Sequence, residues 1–130
     1  MIKPNPTTGM RHVALFVKNY EATEQFYVEL LGMSVEWRPD ANAVYLTSGN
    51  DNLALHRVEH DFAEEQHLDH IGFFLNTPED VDQWFDFLRG HDIKMKTEPR
   101  THRDGARSFY CLDPDGNTVQ MIFHPPQQQI

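Results

Sequence analysis

Two short apolar runs stand out along the chain, and each is followed by a helical pattern. Residues 11–17 read Arg-His-Val-Ala-Leu-Phe-Val, and residues 69–75 read Asp-His-Ile-Gly-Phe-Phe-Leu. Both runs are apolar at even and odd positions alike, which predicts strands that are buried on both faces. Each run is therefore interpreted as the first strand of a larger unit.

A helix is predicted after each of these strands. Thr77 is a candidate N-cap, because Pro78 follows it and acidic residues occupy the next two positions. Asn19 stands at the corresponding place before the first helix. The apolar positions at helical spacing are Ala22, Phe26 and Leu30 in the first helix and Val81, Trp84, Phe85 and Leu88 in the second. Gly32 and Gly90 are the expected C-terminal caps.

Three extended segments are predicted after each helix. They cover residues 34–38, 43–47 and 53–58 in the first half, and residues 93–96, 108–112 and 118–124 in the second. Turn-forming residues separate the last two segments in each half, at 48–52 and 113–117. The pattern indicates an α+β protein in which strand, helix and three strands occur twice. A polar spacer covers residues 60–67, and residues 1–9 and 125–130 are predicted to be flexible tails.

The two halves are also similar in sequence. When the chain is shifted by 58 positions, residues 12–35 align with residues 70–93, and six of the 24 pairs are identical. The identical pairs are His12 with His70, Phe16 with Phe74, Glu21 with Glu79, Gln25 with Gln83, Leu30 with Leu88, and Gly32 with Gly90. Ordinary residue usage gives roughly one or two such pairs by chance. We therefore interpret the chain as an internal duplication.

Composition and charge exclude several classes of protein. The 130 residues include 39% hydrophobic residues and nine Phe, which is typical of a single globular domain. Eleven basic against twenty acidic residues give a formal charge of -9, the wrong sign for binding nucleic acid. No apolar run approaches the roughly 18 residues of a membrane span, and no signal peptide is apparent. The protein is therefore expected to be soluble and cytoplasmic, and its single cysteine, Cys111, is compatible with a reducing compartment.

The chain resembles the vicinal-oxygen-chelate superfamily, which includes glyoxalase I, extradiol dioxygenases, fosfomycin-modifying thiol transferases and bleomycin-binding proteins. The resemblance covers residues 10–124 and rests on three features. These are the His at the head of each repeat, Phe26-Tyr27 followed by Leu30-Leu31-Gly32, and Arg107-Ser108-Phe109-Tyr110 leading into Asp113-Pro114-Asp115-Gly116-Asn117.

The resemblance implies a fold, an assembly and a cofactor. It implies a single glyoxalase-like domain over residues 10–124, made of βαβββ modules at 10–58 and 68–124. Their strands are expected to form a curled, half-open mixed sheet around a cavity, usually within a homodimer. The cavity floor is expected to hold a divalent metal ion, either Zn, Ni, Mn or Fe. A small-molecule substrate or ligand is the expected partner, with no role for nucleic acid or membrane.

The resemblance implies that the metal ligands are His12, His70 and Gln120. Side-chain alternation agrees, because both histidines occupy the same face of equivalent strands. A neutral, hydrogen-bonded core histidine is the alternative interpretation of either one. Gln120 stands where the family pattern usually has Glu, so the site lacks an anionic ligand. It is either a neutral ligand or a polar cavity residue in a protein that has lost its metal.

Three further residues are candidates. His56 lies near the position of a glutamate ligand in glyoxalase-like members, and it is an alternative ligand or a base. Depending on turn length, His56 aligns with Met121 or with Gln120, and a one-residue slip moves its side chain to the other sheet face. Arg107 and Tyr110 are candidates for binding an anionic or oxygen-rich group, although a solvated loop and a core aromatic are the simpler interpretations.

Two functions remain open from the sequence. The first is a metal-dependent enzyme with isomerase, lyase, dioxygenase or thiol-transfer chemistry on a small oxygen-chelating substrate. Classical glyoxalase I activity is disfavoured because neither expected glutamate position holds Glu. The second is a metal-free protein that sequesters a small molecule, as the bleomycin-binding relatives do. A domain that has kept the fold without the chemistry is a third interpretation.

Overall fold

A computed structural model describes residues 10–62 and 68–125 of the chain. The chain divides into two compact units, residues 1–60 and 61–130, with the boundary at the predicted polar spacer. Each unit contains a strand, a helix and three more strands, which confirms the predicted α+β class and the two βαβββ modules. The predicted tails lie outside the described residues, apart from Pro125.

The first unit is a four-stranded mixed sheet with one helix. Its strands are β1 (His12–Val17), β2 (Ser34–Asp40), β3 (Ala43–Thr47) and β4 (Asn52–Arg57). The order is β1-β4-β3-β2, with β1 parallel to β4 and the other pairs antiparallel. Helix α1 (Tyr20–Gln25) continues directly into a π-helical segment (Phe26–Leu30) and ends before Gly32, which has the predicted positive φ of 84°.

The second unit repeats this arrangement. Its strands are β5 (Ile71–Leu75), β6 (Arg100–Thr101), β7 (Arg107–Leu112) and β8 (Thr118–Phe123), in the order β5-β8-β7-β6. Strands β5 and β8 are parallel, as β1 and β4 are. Helix α2 spans Pro78–Gly90, and its predicted N-cap is confirmed, because the Thr77 hydroxyl accepts a hydrogen bond of 3.1 Å from the Asp80 amide.

In each unit one face of the sheet forms the apolar core, and the opposite face carries the candidate site residues other than Arg107. The fully buried side chains of the second unit include Val81 and Leu88 of α2 and Phe109, Cys111 and Val119 of the sheet. Phe109 packs edge to face against Phe85 of α2, with ring centroids 5.4 Å apart. The first strands are not buried on both faces as expected, because Phe16 remains 66% exposed and Phe74 58%.

One predicted strand needs correction. The strand expected over residues 93–96 is reduced to one bridge, between Met95 and Cys111, and a short strand forms at β6 instead. The Tyr110 carbonyl accepts hydrogen bonds from the backbone amides of both Lys96 and Thr97. The Thr97 hydroxyl accepts a hydrogen bond from the Tyr110 amide, so regular strand pairing stops there.

The helix ends also differ in detail from the expectation. Asn19 precedes α1 without forming a side-chain cap. Gly90 lies inside α2, and the left-handed conformation falls on Asp92, with φ of 62°. Among the described residues, no helix is both long enough and apolar enough to cross a membrane.

Candidate functional site

In the first unit, His12 is held by a hydrogen bond to the neighbouring strand. The pairing of β1 with β4 sets His12 beside Asn52, and His12 Nδ1 lies 2.6 Å from Asn52 Oδ1. Asn52 Nδ2 donates in turn to Glu36 Oε1 at 3.1 Å. Because the amide oxygen only accepts, it takes a hydrogen bond from His12 Nδ1–H, and His12 Nε2 is outside this contact.

In the second unit, His70 is held in the same way by an acceptor on its own chain neighbour. His70 Nδ1 lies 2.6 Å from Asp69 Oδ2, a carboxylate oxygen that accepts a hydrogen bond from Nδ1–H. Nε2 of His70 is outside this contact, as Nε2 of His12 is outside the contact with Asn52. The His70 ring also contacts the Tyr110 ring edge to face, with centroids 5.3 Å apart.

Gln120 completes the polar cluster of the second unit. It pairs with Gly72 on β5 and with Tyr110 on β7, so the three residues form one row across the sheet. Gln120 Nε2 donates to the Tyr110 hydroxyl at 3.1 Å. Gln120 Oε1 lies beside Gly72, where an added Cβ atom would be 3.6 Å away. The amide oxygen is thus directed away from Tyr110 and is available as a ligand atom.

The structure does not bring His56 to His12. The pairing of Ala14 with Ala54 in the first unit corresponds to that of Gly72 with Gln120 in the second. Ala54 is therefore the equivalent of Gln120, and His56 corresponds to Ile122, so neither alignment predicted for His56 is correct. His56 lies on the His12 face, next to Phe16, but four residues, about 13 Å of strand, beyond the partner of His12.

The expectation that Arg107 acts beside Tyr110 also needs correction. Successive side chains of a strand point to opposite faces, and Arg107 shares its face with Phe109 on the core side. Its guanidinium donates to both carboxylate oxygens of Asp82 on α2, at 3.3 and 2.7 Å, and to Thr101 at 2.9 Å. Arg107 is thus engaged in a partly exposed ion pair between β7 and α2.

Four site residues are not predicted by the sequence pattern. Asn52 and Glu36 support His12, Asp69 supports His70, and Lys96 donates to Thr118 Oγ1 at 3.1 Å on the Gln120 face. Asp69 could have been found, because it adjoins a candidate ligand in sequence. The other three depend on strand pairing, which the sequence pattern does not specify.

Imidazole nitrogen and amide oxygen, the donor atoms of the expected ligands, are of the kinds that divalent metal ions bind. Among the described residues, no group of three or more His, Cys, Asp or Glu side chains converges. The expected set contains two histidines and one amide, and its histidines have the support that metal-bound imidazoles have in known sites. Each donates Nδ1–H to an oxygen acceptor, which fixes the ring and leaves Nε2 to bind the ion.

Cys111 does not lie on the sheet face that bears the candidate metal ligands. Its side chain is fully buried on the core face of β7. Burial, with a smaller contribution from the Asp113 carboxylate, raises the pKa of the Cys111 thiol to about 12. Because the thiolate is the reactive form, we expect a thiol reagent at about pH 8 to label folded protein at least about 100-fold more slowly than protein unfolded in urea. Equal labelling rates would contradict the buried position.

Comparison with known proteins places this arrangement in a family. The model of the Glyoxalase/Bleomycin resistance protein/Dioxygenase superfamily matches residues 9–121. The chain belongs to this superfamily. Among curated members of similar sequence, metallothiol transferase FosB of Staphylococcus epidermidis is 29% identical over 119 residues, covering 88% of this chain and 80% of that protein. Fosfomycin resistance protein FosX of Listeria monocytogenes is 26% identical, covering 88% of each chain.

Solved structures of the superfamily have the same fold. A lactoylglutathione lyase from Agrobacterium tumefaciens superimposes with a TM-score of 0.76 at 22% identity, covering 92% of this chain and 96% of that one. A glyoxalase family protein from Enterococcus faecalis has a TM-score of 0.70 at 28% identity, covering 88% of this chain and 97% of that one.

Proposed function

We propose that this protein is a divalent-metal-dependent enzyme that adds a thiol or water to a small electrophile carrying oxygen donors. The observation that carries the proposal is the pair of repeat-head histidines, each with Nδ1 bound to an acceptor and Nε2 left as a ligand atom. Similarity to a metallothiol transferase and to a fosfomycin resistance protein supports this class of reaction. We also propose that the enzyme is cytoplasmic and acts as a homodimer.

In this proposal the metal ligands are His12, His70 and Gln120, the set that the family resemblance implies. A bound dication supplies Lewis acidity, which stabilises negative charge developing on a substrate oxygen. Gln120 contributes a neutral oxygen. The residue orients that oxygen by donating its Nε2–H to Tyr110.

Tyr110 is the proposed proton donor. Its hydroxyl oxygen accepts from Gln120 at 3.1 Å, so the hydroxyl proton remains available to a substrate oxygen. Donation to that oxygen would stabilise the charge left when a thiol or water attacks a neighbouring carbon. Lys96, held on the same sheet face by Thr118, adds a positive charge that favours an anionic substrate.

The ligand set favours addition over isomerisation. An isomerase of the glyoxalase type needs a base at the metal to move a proton between carbon atoms. Gln120 cannot take a proton, and the equivalent position of the first unit holds Ala54. An incoming thiol or water brings its own proton, so the ligands need only hold the ion and orient the substrate.

The test is a metal-dependent addition assay. Protein loaded separately with Zn²⁺, Ni²⁺, Mn²⁺ or Fe²⁺ is incubated with fosfomycin and with cysteine, glutathione or no thiol, and adducts are measured by mass spectrometry. We expect product with at least one ion, its loss on adding a chelator, and a kcat about 100-fold lower for Tyr110→Phe. Tyr45→Phe, the equivalent change in the first unit, is the control. Absence of any thiol or water adduct with all four ions would contradict the proposal.

A second candidate is sequestration of a small organic molecule without a metal. The face of the first unit that bears His12 also bears exposed aromatic side chains. Trp37, 58% exposed, stacks on Tyr45 with ring centroids 5.2 Å apart. Such rings bind planar or cationic molecules, and a chain of charge -9 favours a cation. Binding of a cationic aromatic compound in the presence of a chelator, lost in Trp37→Ala, would favour this candidate.

A further inference from the structure

We propose that Asn52 and Glu36 are positioning residues that hold His12 in the tautomer with the proton on Nδ1. Asn52 Oδ1 accepts a hydrogen bond from His12 Nδ1–H, and Glu36 keeps the Asn52 amide from turning over. The inference rests on the proposed function only in taking His12 Nε2 as a metal ligand atom. Neither residue was a candidate from the sequence.

The contacts among Glu36, Asn52 and His12 define the direction of both hydrogen bonds that join them. Glu36 Oε1 is a carboxylate oxygen that accepts from Asn52 Nδ2 at 3.1 Å. If the amide turned over, its oxygen would face that carboxylate and its NH₂ group would face the imidazole. With Glu36 in place, the amide oxygen faces His12 at 2.6 Å and can only accept. The proton on His12 is thereby assigned to Nδ1.

An irregularity in β2 supports a dedicated role for Glu36. Val35 pairs with Leu46 of β3, and the next pair joins Trp37 to Tyr45, so Glu36 is an extra residue in β2. A β-bulge of this kind redirects side chains and is common beside active sites. Here the Trp37 ring stacks on Tyr45 while the Glu36 carboxylate reaches Asn52.

The duplication explains why the hydrogen-bond acceptor for His12 comes from another strand. In the second unit the acceptor for His70 is Asp69, the residue before it. The 58-residue shift places Arg11 at the corresponding position before His12. The arginine side chain has hydrogen-bond donors only, so it cannot accept a hydrogen bond from Nδ1–H. The acceptor for His12 is instead supplied across the sheet by Asn52, the residue paired with it on β4.

The first test uses ¹⁵N NMR of the histidine side chains in metal-free protein at alkaline pH, where imidazole is neutral. The His12 signals are assigned by their loss in His12→Ala. We expect the Nδ1–H tautomer in the wild type. Asn52→Leu and Glu36→Leu should each shift His12 toward the Nε2–H tautomer. Asn50→Leu and Glu29→Leu, which replace exposed residues of the same types, should leave it unchanged.

A reciprocal double variant tests the direction of the hydrogen bonds. In Glu36→Gln with Asn52→Asp, the new amide donates to the new carboxylate, which still accepts from His12. We expect this variant to recover the Nδ1–H tautomer. The metal readout is Zn²⁺ affinity measured by competition with a chromophoric chelator. Asn52→Leu should weaken it about 10- to 100-fold, and the double variant should recover most of the loss.

The outcomes separate this inference from the proposed function. Failure of the wild type to bind Zn²⁺, Ni²⁺, Mn²⁺ or Fe²⁺ would remove the proposed function, while the tautomer of metal-free protein would still decide the role of Asn52 and Glu36. A proton on His12 Nε2 in the wild type, or no change in Asn52→Leu and Glu36→Leu, would overturn the inference whatever the metal result. The inference would also be overturned if Asn52→Leu shifted the tautomer of His12 and left the Zn²⁺ affinity unaltered.

Discussion

Replacing His70 by alanine is expected to lower the affinity of the protein for divalent metal ions by at least about 100-fold, a larger loss than supporting residues usually cause. The imidazole supplies one of two nitrogen ligands in the proposed set, and the remaining amide oxygen of Gln120 carries no charge. Affinity is measured for Zn²⁺ and Ni²⁺ by chelator competition. His12→Ala should cause a loss of similar size.

The control for this prediction is His91→Ala. His91 is an exposed residue at the C-terminal cap of α2, where its ring contacts Phe87 at 4.7 Å between centroids. The change removes a histidine without altering the sheet face that bears His70. Equal affinities of His70→Ala and the wild type would show that His70 is not a ligand. Equal losses in His70→Ala and His91→Ala would indicate nonspecific binding.

Replacing Phe109 by alanine is expected to lower the free energy of unfolding by about 3–5 kcal/mol. Phe109 is fully buried on the core face of β7 and packs against Phe85 of α2. The substitution removes an aromatic ring and leaves a cavity between sheet and helix. Urea unfolding followed by circular dichroism measures the change.

Phe87→Ala is the matched control for the core substitution. Phe87 lies on α2, as Phe85 does, but its side chain is 44% exposed. Its loss should cost less than about 1 kcal/mol, because little apolar surface is returned to water. A cost for Phe109→Ala no larger than that for Phe87→Ala would contradict the assignment of the core face in the second unit.

Local patterns in the sequence are sufficient to predict most elements of both units. The apolar runs identify β1 and β5, and the acidic first turn with Thr77 identifies the start of α2. These features depend on neighbours in the chain, so periodicity and capping chemistry reveal them. The duplication then pairs the two halves, and the match of His12 with His70 at the same repeat position singles out both histidines.

Strand register explains why other site residues could not be predicted. Four residues separate β3 from β4, and five separate β7 from β8. In the longer turn the Asp113 carboxylate accepts from the amides of Asp115 and Asn117, at 2.9 and 2.8 Å. The extra residue shifts the last strands relative to one another, so that His56 corresponds to Ile122. Turn geometry of this kind is not readable from residue spacing alone.

Partners across the sheet are equally inaccessible from the sequence. Arg107 is a reasonable candidate for anion binding, but strand alternation directs it to Asp82 on α2. The residue pattern assigns Asn52 to a turn, whereas β1–β4 pairing places it beside His12. Both outcomes depend on contacts between residues at least 25 positions apart in the chain.

Gln120 is the candidate ligand whose residue type differs from the expected family pattern, which usually has Glu there. Its amide is oriented by Tyr110 on one side, and its oxygen lies against Gly72 on the other. A glutamate there would bring a negative charge to the ion and a potential base. The amide brings neither, which is why we propose addition of a thiol or water as the reaction.

The most direct test of the account is the metal content of untagged protein purified without added metal or chelator. Elemental analysis is performed on the wild type and on the His12→Ala, His70→Ala double variant, with His91→Ala as the control. The account predicts about one divalent ion per chain in the wild type and in His91→Ala, and none in the double variant. Wild-type protein that stays metal-free even after reconstitution with Zn²⁺, Ni²⁺, Mn²⁺ and Fe²⁺ would contradict it.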